Sequence, residues 1–241
     1  MRSHRNRLTR GAIAAAFILC TGTAFADILV VRSTGASAKQ YPPGKRIAEG
    51  ARIVLPANAS LDVLDGRGTR TLRGPGSFVA GAVAPRSAAP APVARRARIG
   101  AVRSAGISDL RPPSIWHVDI ARSSSVCVAE PANVILWRAD PVRAVNLTVS
   151  SAAAGPSKRI AWQPGASTLA WPADLAVANG AEYRLSWPGA AAPTIIRFRT
   201  LPTKPVGLED LASFLVSNQC EAQLDMFIET VRLPDEGPPG G

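Results

Sequence analysis

Eight short runs rich in β-branched and aromatic residues, each five to eight residues long and closed by turn residues, fill positions 114–202. They are "SIWHVDI", "SVCVA", "NVILWRA", "AVNLTVSS", "KRIAWQ", "STLAWP", "EYRLSWP" and "TIIRFRT". Runs this short, spaced this regularly, predict a two-sheet β-sandwich rather than a helical or doubly wound fold. Alternation is clearest in "WHVDI": Trp116, Val118 and Ile120 fall on one face, His117 and Asp119 on the other. The fold class predicted for the whole chain is mainly β, with a short helical element near its C-terminus.

The rest of the chain divides around this block. Residues 1–26 read as a secretory leader: Arg2, Arg5, Arg7 and Arg10 precede the apolar stretch "GAIAAAFIL", and "AFA" predicts cleavage after Ala26. The apolar stretch is too short to span a bilayer, which takes about 20 residues. Export to an oxidising periplasm follows as the expectation. Cys20 leaves with the leader, so Cys127 and Cys220 remain as a candidate disulfide.

Residues 27–80 predict a small antiparallel β unit, with strands in "ILVVRS", "RIVL" and "SLDVL" separated by "YPPGK" and "LPANAS". Residues 81–113 shift to Ala, Pro and Arg, the composition of an extended linker. Residues 114–203 are the sandwich. In residues 204–233 the period changes: Leu208, Leu211, Ala212 and Leu215 form one helical stripe, and Cys220, Leu224, Phe227, Ile228 and Val231 a second, displaced one. Two short helices meeting near residues 217–219, or one helix buried on two sides, would produce this. Residues 234–241, "PDEGPPGG", read as a disordered tail.

The formal charge of +11 falls to +7 once the four leader arginines are removed. Moderate basicity with an acidic C-terminal segment does not identify a nucleic-acid binder, and export makes that partner less accessible. Within the linker, Arg95, Arg96, Arg98 and Arg103 are candidate contacts for an anionic envelope polymer or headgroup, set against solvated charge as the commoner role of such a run.

Catalytic chemistry finds little footing. After cleavage His117 is the one histidine, and the serines of "RSSSV" lack the Gly-x-Ser-x-Gly elbow of a hydrolase. One histidine and two distant cysteines supply no metal spacing, and no cofactor fingerprint is present. Of five tryptophans, Trp116 and Trp137 alternate with apolar neighbours and are predicted core. Trp171 and Trp187 each precede a proline and are candidates for an exposed aromatic platform, burial being the expectation for the set.

The stretch "SLDVLDGRGTRTLRGPGSF" carries glycines at 66, 68, 74 and 76, a spacing that matches neither dinucleotide nor phosphate loops. Asp65-Gly66 is instead hairpin chemistry, which puts Arg67, Arg70 and Arg73 on a β surface. Residues 44–78 as a whole resemble FecR-type domains, through Gly44, Ile47, Gly50, Leu61, Val63, Asp65, Gly66, Leu72 and Gly74. That resemblance implies a small β-solenoid-like or β-sandwich periplasmic domain that interacts rather than catalyses. Regulators of that family carry a cytoplasmic arm and a membrane helix ahead of the domain, where this chain has a cleavable leader. "LAVANGAEYRLSW" similarly resembles the turn-then-tyrosine step of immunoglobulin-like and fibronectin type III-like sandwiches. The functional expectation is a non-enzymatic binding or scaffolding module for an envelope protein or polymer. The alternatives are a periplasmic sensor acting through a separate membrane protein and, last, a carbohydrate-active enzyme.

Overall fold

The computed structural model describes residues 27–82, 111–153 and 155–233. The leader, most of the linker with its four arginines, and the tail lie outside the described residues. The chain is mainly β, with two short helices.

The N-terminal unit is built on a four-stranded antiparallel sheet ordered β2-β1-β4-β5, from β1 (Ile28–Thr34), β2 (Arg46–Ile47), β4 (Ser60–Asp65) and β5 (Gly68–Arg73). A separate ribbon pairs β3 (Arg52–Leu55) with β6 (Gly76–Val79). Ile28, Val30, Leu61 and Val63 face this ribbon and pack against Ile53 and Leu55. The predicted hairpin joins β4 to β5 in register Asp65↔Gly68, so that Gly66 and Arg67 form a two-residue loop. Asp65 stabilises it by accepting from the Arg67 backbone N–H (2.8 Å) and the Arg70 guanidinium (3.2 Å).

All eight predicted runs of the central block are strands, from β7 (His117–Asp119) and β8 (Ser124–Val128) through β9 (Ile135–Trp137), β10 (Val145–Ser151), β11 (Ser157–Trp162), β12 (Thr168–Ala170), β13 (Glu182–Ser186) and β14 (Thr194–Thr200). They make a five-stranded sheet, β11-β10-β13-β14-β8, and a three-stranded one, β12-β9-β7. The β14–β8 and β7–β9 pairs are parallel and the rest antiparallel. Val118 and Leu136 of the smaller sheet share one core with Leu147, Leu185, Ile196 and Phe198 of the larger.

Trp116 departs from its expected core position, and the platform candidates Trp171 and Trp187 do not hold. Trp116 is 39% exposed, because β7 starts one residue later and the Ser114–His117 turn (N–H to O, 3.2 Å) swings it off the core face that Val118 and Ile120 keep. Trp171 is buried, edge-on to Tyr183 and Phe198 at centroid distances of 4.9 and 5.0 Å, with its Nε1–H donated to the Leu175 carbonyl. Such edge-to-face pairs add about 0.5–1.5 kcal/mol each beyond burial. Trp187 is half-buried against the same core, so the two tryptophans form no exposed platform. Tyr183 closes the turn ahead of β13 by donating its hydroxyl to the Ala176 carbonyl at 2.7 Å.

The C-terminal segment forms two helices, α1 (Leu208–Ser217) and α2 (Glu221–Thr230), the first of the two arrangements its stripes allowed. The chain reverses at Gln219 in the left-handed region (φ 55°), where the Cys220 N–H still reaches the Leu215 carbonyl. Ala212, Leu215, Leu224, Phe227 and Ile228 cover Leu29, Val31 and Leu64, the face of the N-terminal sheet opposite the β3–β6 ribbon. Hence "ILVV" is buried on both sides. Past α2 the chain adds to the β5 edge: the Thr69 N–H donates to Val231 O and the Leu233 N–H to Thr69 O, both at 2.9 Å. Gly68 (φ 149°) permits this approach, since a Cβ there would lie 2.3 Å from the Val231 carbonyl oxygen.

Candidate functional site

The helical pair holds the two β units together, and its grip on the sandwich is local and specific. Cys127 of β8 and Cys220 at the head of α2 form a disulfide (Sγ–Sγ 1.98 Å, Cα–Cα 5.9 Å), and both residues are buried. One turn on, the buried Gln223 side chain mimics a peptide group against the open edge of β8. Its Oε1 accepts from the Cys127 N–H (2.6 Å), and its Nε2 donates to the carbonyls of Cys127 (2.9 Å) and Ile115 (2.7 Å). Burying an amide costs free energy unless its hydrogen bonds are made, and here they are. On the N-terminal side the helices are paired through Arg32 with Asp225 and Arg46 with Glu209.

Two depressions flank this junction. The larger, about 840 Å³, lies between α2 and the sandwich, with Arg32 of β1 at its N-terminal side. All of β7 lines it, together with Arg111, Arg122 and Trp137 from the sandwich side and Asp225, Met226 and Glu229 from α2. His117 Nδ1 shares a hydrogen bond with Ser114 Oγ at 2.8 Å, and Asp119 Oδ1 accepts from the Ala121 N–H at 2.9 Å. The serine is therefore on the ring nitrogen that a triad would give to its carboxylate, and Asp119 is committed to its own turn. This arrangement orients the imidazole without assembling a nucleophile, base and carboxylate in sequence.

Burial holds the Asp119 carboxyl above its usual range, against the opposing pull of the Ala121 N–H and the Arg122 charge. A carboxylate whose folded pKa is raised binds its proton more tightly folded than unfolded. The proton linkage therefore favours the fold most in acid, and that contribution is lost as pH rises from the unfolded value of about 3.8 through the folded one. Asp119→Asn keeps an acceptor for Ala121 and removes the buried charge. The expected result is a Tm above wild type at neutral pH, with the difference closing once both proteins are below the usual carboxylate range. Thermal unfolding across that pH span measures it, and a pH-independent difference would contradict the assignment.

The second depression, about 580 Å³, is apolar. Trp116, Val128, Val134 and Leu211 line it, and Val206 and Leu208 stand at its mouth with Val206 92% exposed. Lys204 and Glu130 pair across the rim at 3.5 Å. The segment around residues 114–119 thus turns Trp116 to one depression and His117 to the other. Sequence reasoning singled out the cysteines and His117, but it did not find Gln223, Arg111, Arg122 or the apolar groove. For the groove, the consecutive "PVGL" ahead of α1 was the available signal.

Among the described residues no group of histidine, cysteine and acidic side chains could hold a metal ion, and no helix is long and apolar enough to cross a membrane. The four candidate arginines, Arg95, Arg96, Arg98 and Arg103, lie outside the described residues. No protein-family model, no curated protein and no solved structure matches the chain.

Proposed function

We propose that the chain is an exported, non-enzymatic binding module of the cell envelope that engages a partner protein through the apolar groove beside the disulfide. The observation that carries this reading is the exposure of Trp116, Val206 and Leu208 around one apolar depression. Apolar side chains clustered in the open around a concavity are characteristic of protein–protein contact, and tryptophan is prominent among residues that dominate binding energy. Cys127 lines the groove, and its bond to Cys220 ties that wall to the helices, which lowers the ordering cost of binding. A regulator-type role, in which the partner is a separate membrane protein, draws support from the FecR-like segment. Gly44 and Gly50 of that pattern both adopt left-handed backbone (φ 88° and 79°), as turn glycines would.

A photo-crosslinking residue at position 206 of the full chain, expressed in its own envelope, should yield a discrete adduct that disappears when Trp116→Glu and Leu208→Glu are added. The same crosslinker at Val142, 75% exposed on the sandwich surface, should not yield it. Identical products from both positions would sink the groove as the contact surface. A membrane protein in the adduct selects the regulator reading.

A further inference from the structure

The larger cleft presents two uncommitted cations. Arg111 and Arg122 both line it and are exposed, and neither guanidinium makes a hydrogen bond or ion pair among the described residues. The acidic groups on the opposite wall are engaged: Asp225 by Arg32, and Glu229 by Arg232 at 2.6 Å. Of the acidic side chains described as lining the cleft, that leaves Asp119, partly buried and already turned to Ala121, to face the Arg122 charge. Val118, Val126 and Trp137 supply an apolar floor. At about 840 Å³ the space falls within the roughly 300–1,000 Å³ usual for small-ligand sites, and its lining is mixed polar and apolar.

Guanidinium groups present a planar fork of donors that matches the oxygens of a carboxylate or phosphate, and a nearby apolar surface strengthens such bonds by excluding water. We propose that this cleft binds a small ligand bearing an oxyanion, carboxylate or phosphate, through Arg111 and Arg122, with Asp119 limiting the affinity. His117 stands on the same wall, oriented by Ser114, as a further polar contact. The proposal is independent of the apolar groove, which lies on the other side of residues 114–119.

The test is an NMR titration of the mature chain at constant ionic strength with two probes, citrate and inorganic phosphate. A saturable shift of the His117, Ala121 and Arg122 amides is expected. Arg111→Ala and Arg122→Ala should each weaken it about tenfold, the usual cost of losing one charge-assisted hydrogen bond. Asp119→Asn, which removes the competing negative charge, should tighten binding severalfold. Arg159→Ala should leave it unchanged, since Arg159 sits on β11 at the opposite edge of the sheet from β8. A response to citrate alone assigns a carboxylate ligand, and a response to phosphate alone a phosphate one. No saturable response to either probe would overturn the proposal. So would an Arg111→Ala/Arg122→Ala double variant that titrates like wild type, or an Arg159→Ala effect equal to that of the cleft arginines.

Discussion

Replacing Cys127 and Cys220 together by alanine should lower the unfolding free energy by about 4–5 kcal/mol, the loop-closure value for a bridge spanning 93 residues. The bond restrains the unfolded chain, and it is also the covalent tie between β8 of the sandwich and the head of α2. Without it, sandwich and helices remain joined by the three Gln223 hydrogen bonds and the packing of Ile115 and Leu201 on the helical cluster. The helices keep their hold on the N-terminal sheet through Leu29, Val31 and Leu64. The double variant should therefore also lose cooperativity, the sandwich unfolding apart from the N-terminal sheet with its helices. Urea unfolding followed by tryptophan fluorescence reads the first, since all five tryptophans belong to residues 114–203, and far-ultraviolet helicity reads the second. A single coincident transition shifted by less than about 1 kcal/mol would mean that the bond neither restrains the unfolded chain as that loop length implies nor couples the units.

Strands such as β10, β13 and β14 were legible because one face meets water and the other a core, which writes a period of two into the sequence. Where that condition fails, the reading fails with it. Four consecutive apolar residues, Ile28 to Val31, signal a strand covered on both faces, but not that the second cover would come from helices nearly 180 residues later. β2 has two residues and β6 follows directly on Gly74-Pro75, too short or too punctuated for a pattern to emerge. Trp116 obeyed the alternation and still ended exposed, because a local turn set the start of β7. The cleft was invisible for a different reason. Its cationic wall comes from residues 111–122 and its acidic wall from α2, and only the tertiary fold brings them together. Gln223 and Arg138 were missed because pattern reading assigns polar residues to the surface, whereas both are buried.

Arg138 should be the most sensitive single position in the sandwich. Only 5% exposed and in no ion pair among the described residues, Arg138 donates its guanidinium to four backbone carbonyls: Ala166 (3.0 Å), Arg143 (2.8 Å), Gln163 (2.8 Å) and Pro141 (3.3 Å). Its face lies 4.9 Å from the Trp162 ring centroid, a cation–π contact. Desolvation pushes its pKa down, with Asp140 opposing, yet a guanidinium remains charged in proteins. It thus staples the loops after β9 and β11, donating to two carbonyls in each. Arg138→Ala should cost about 3–5 kcal/mol, the range for removing one partner from a buried, charge-assisted network. Lysine keeps the charge but cannot present the fork, and should recover part of the loss. Methionine separates packing from hydrogen bonding, because it keeps an apolar stem on Trp162 and supplies no donor. If the bonds dominate, Arg138→Met should be nearly as unstable as Arg138→Ala, and the Gly165 amide, bonded to Pro141 O at 2.7 Å, should exchange faster in both. Recovery of wild-type stability by methionine would show instead that the side chain acts by covering Trp162.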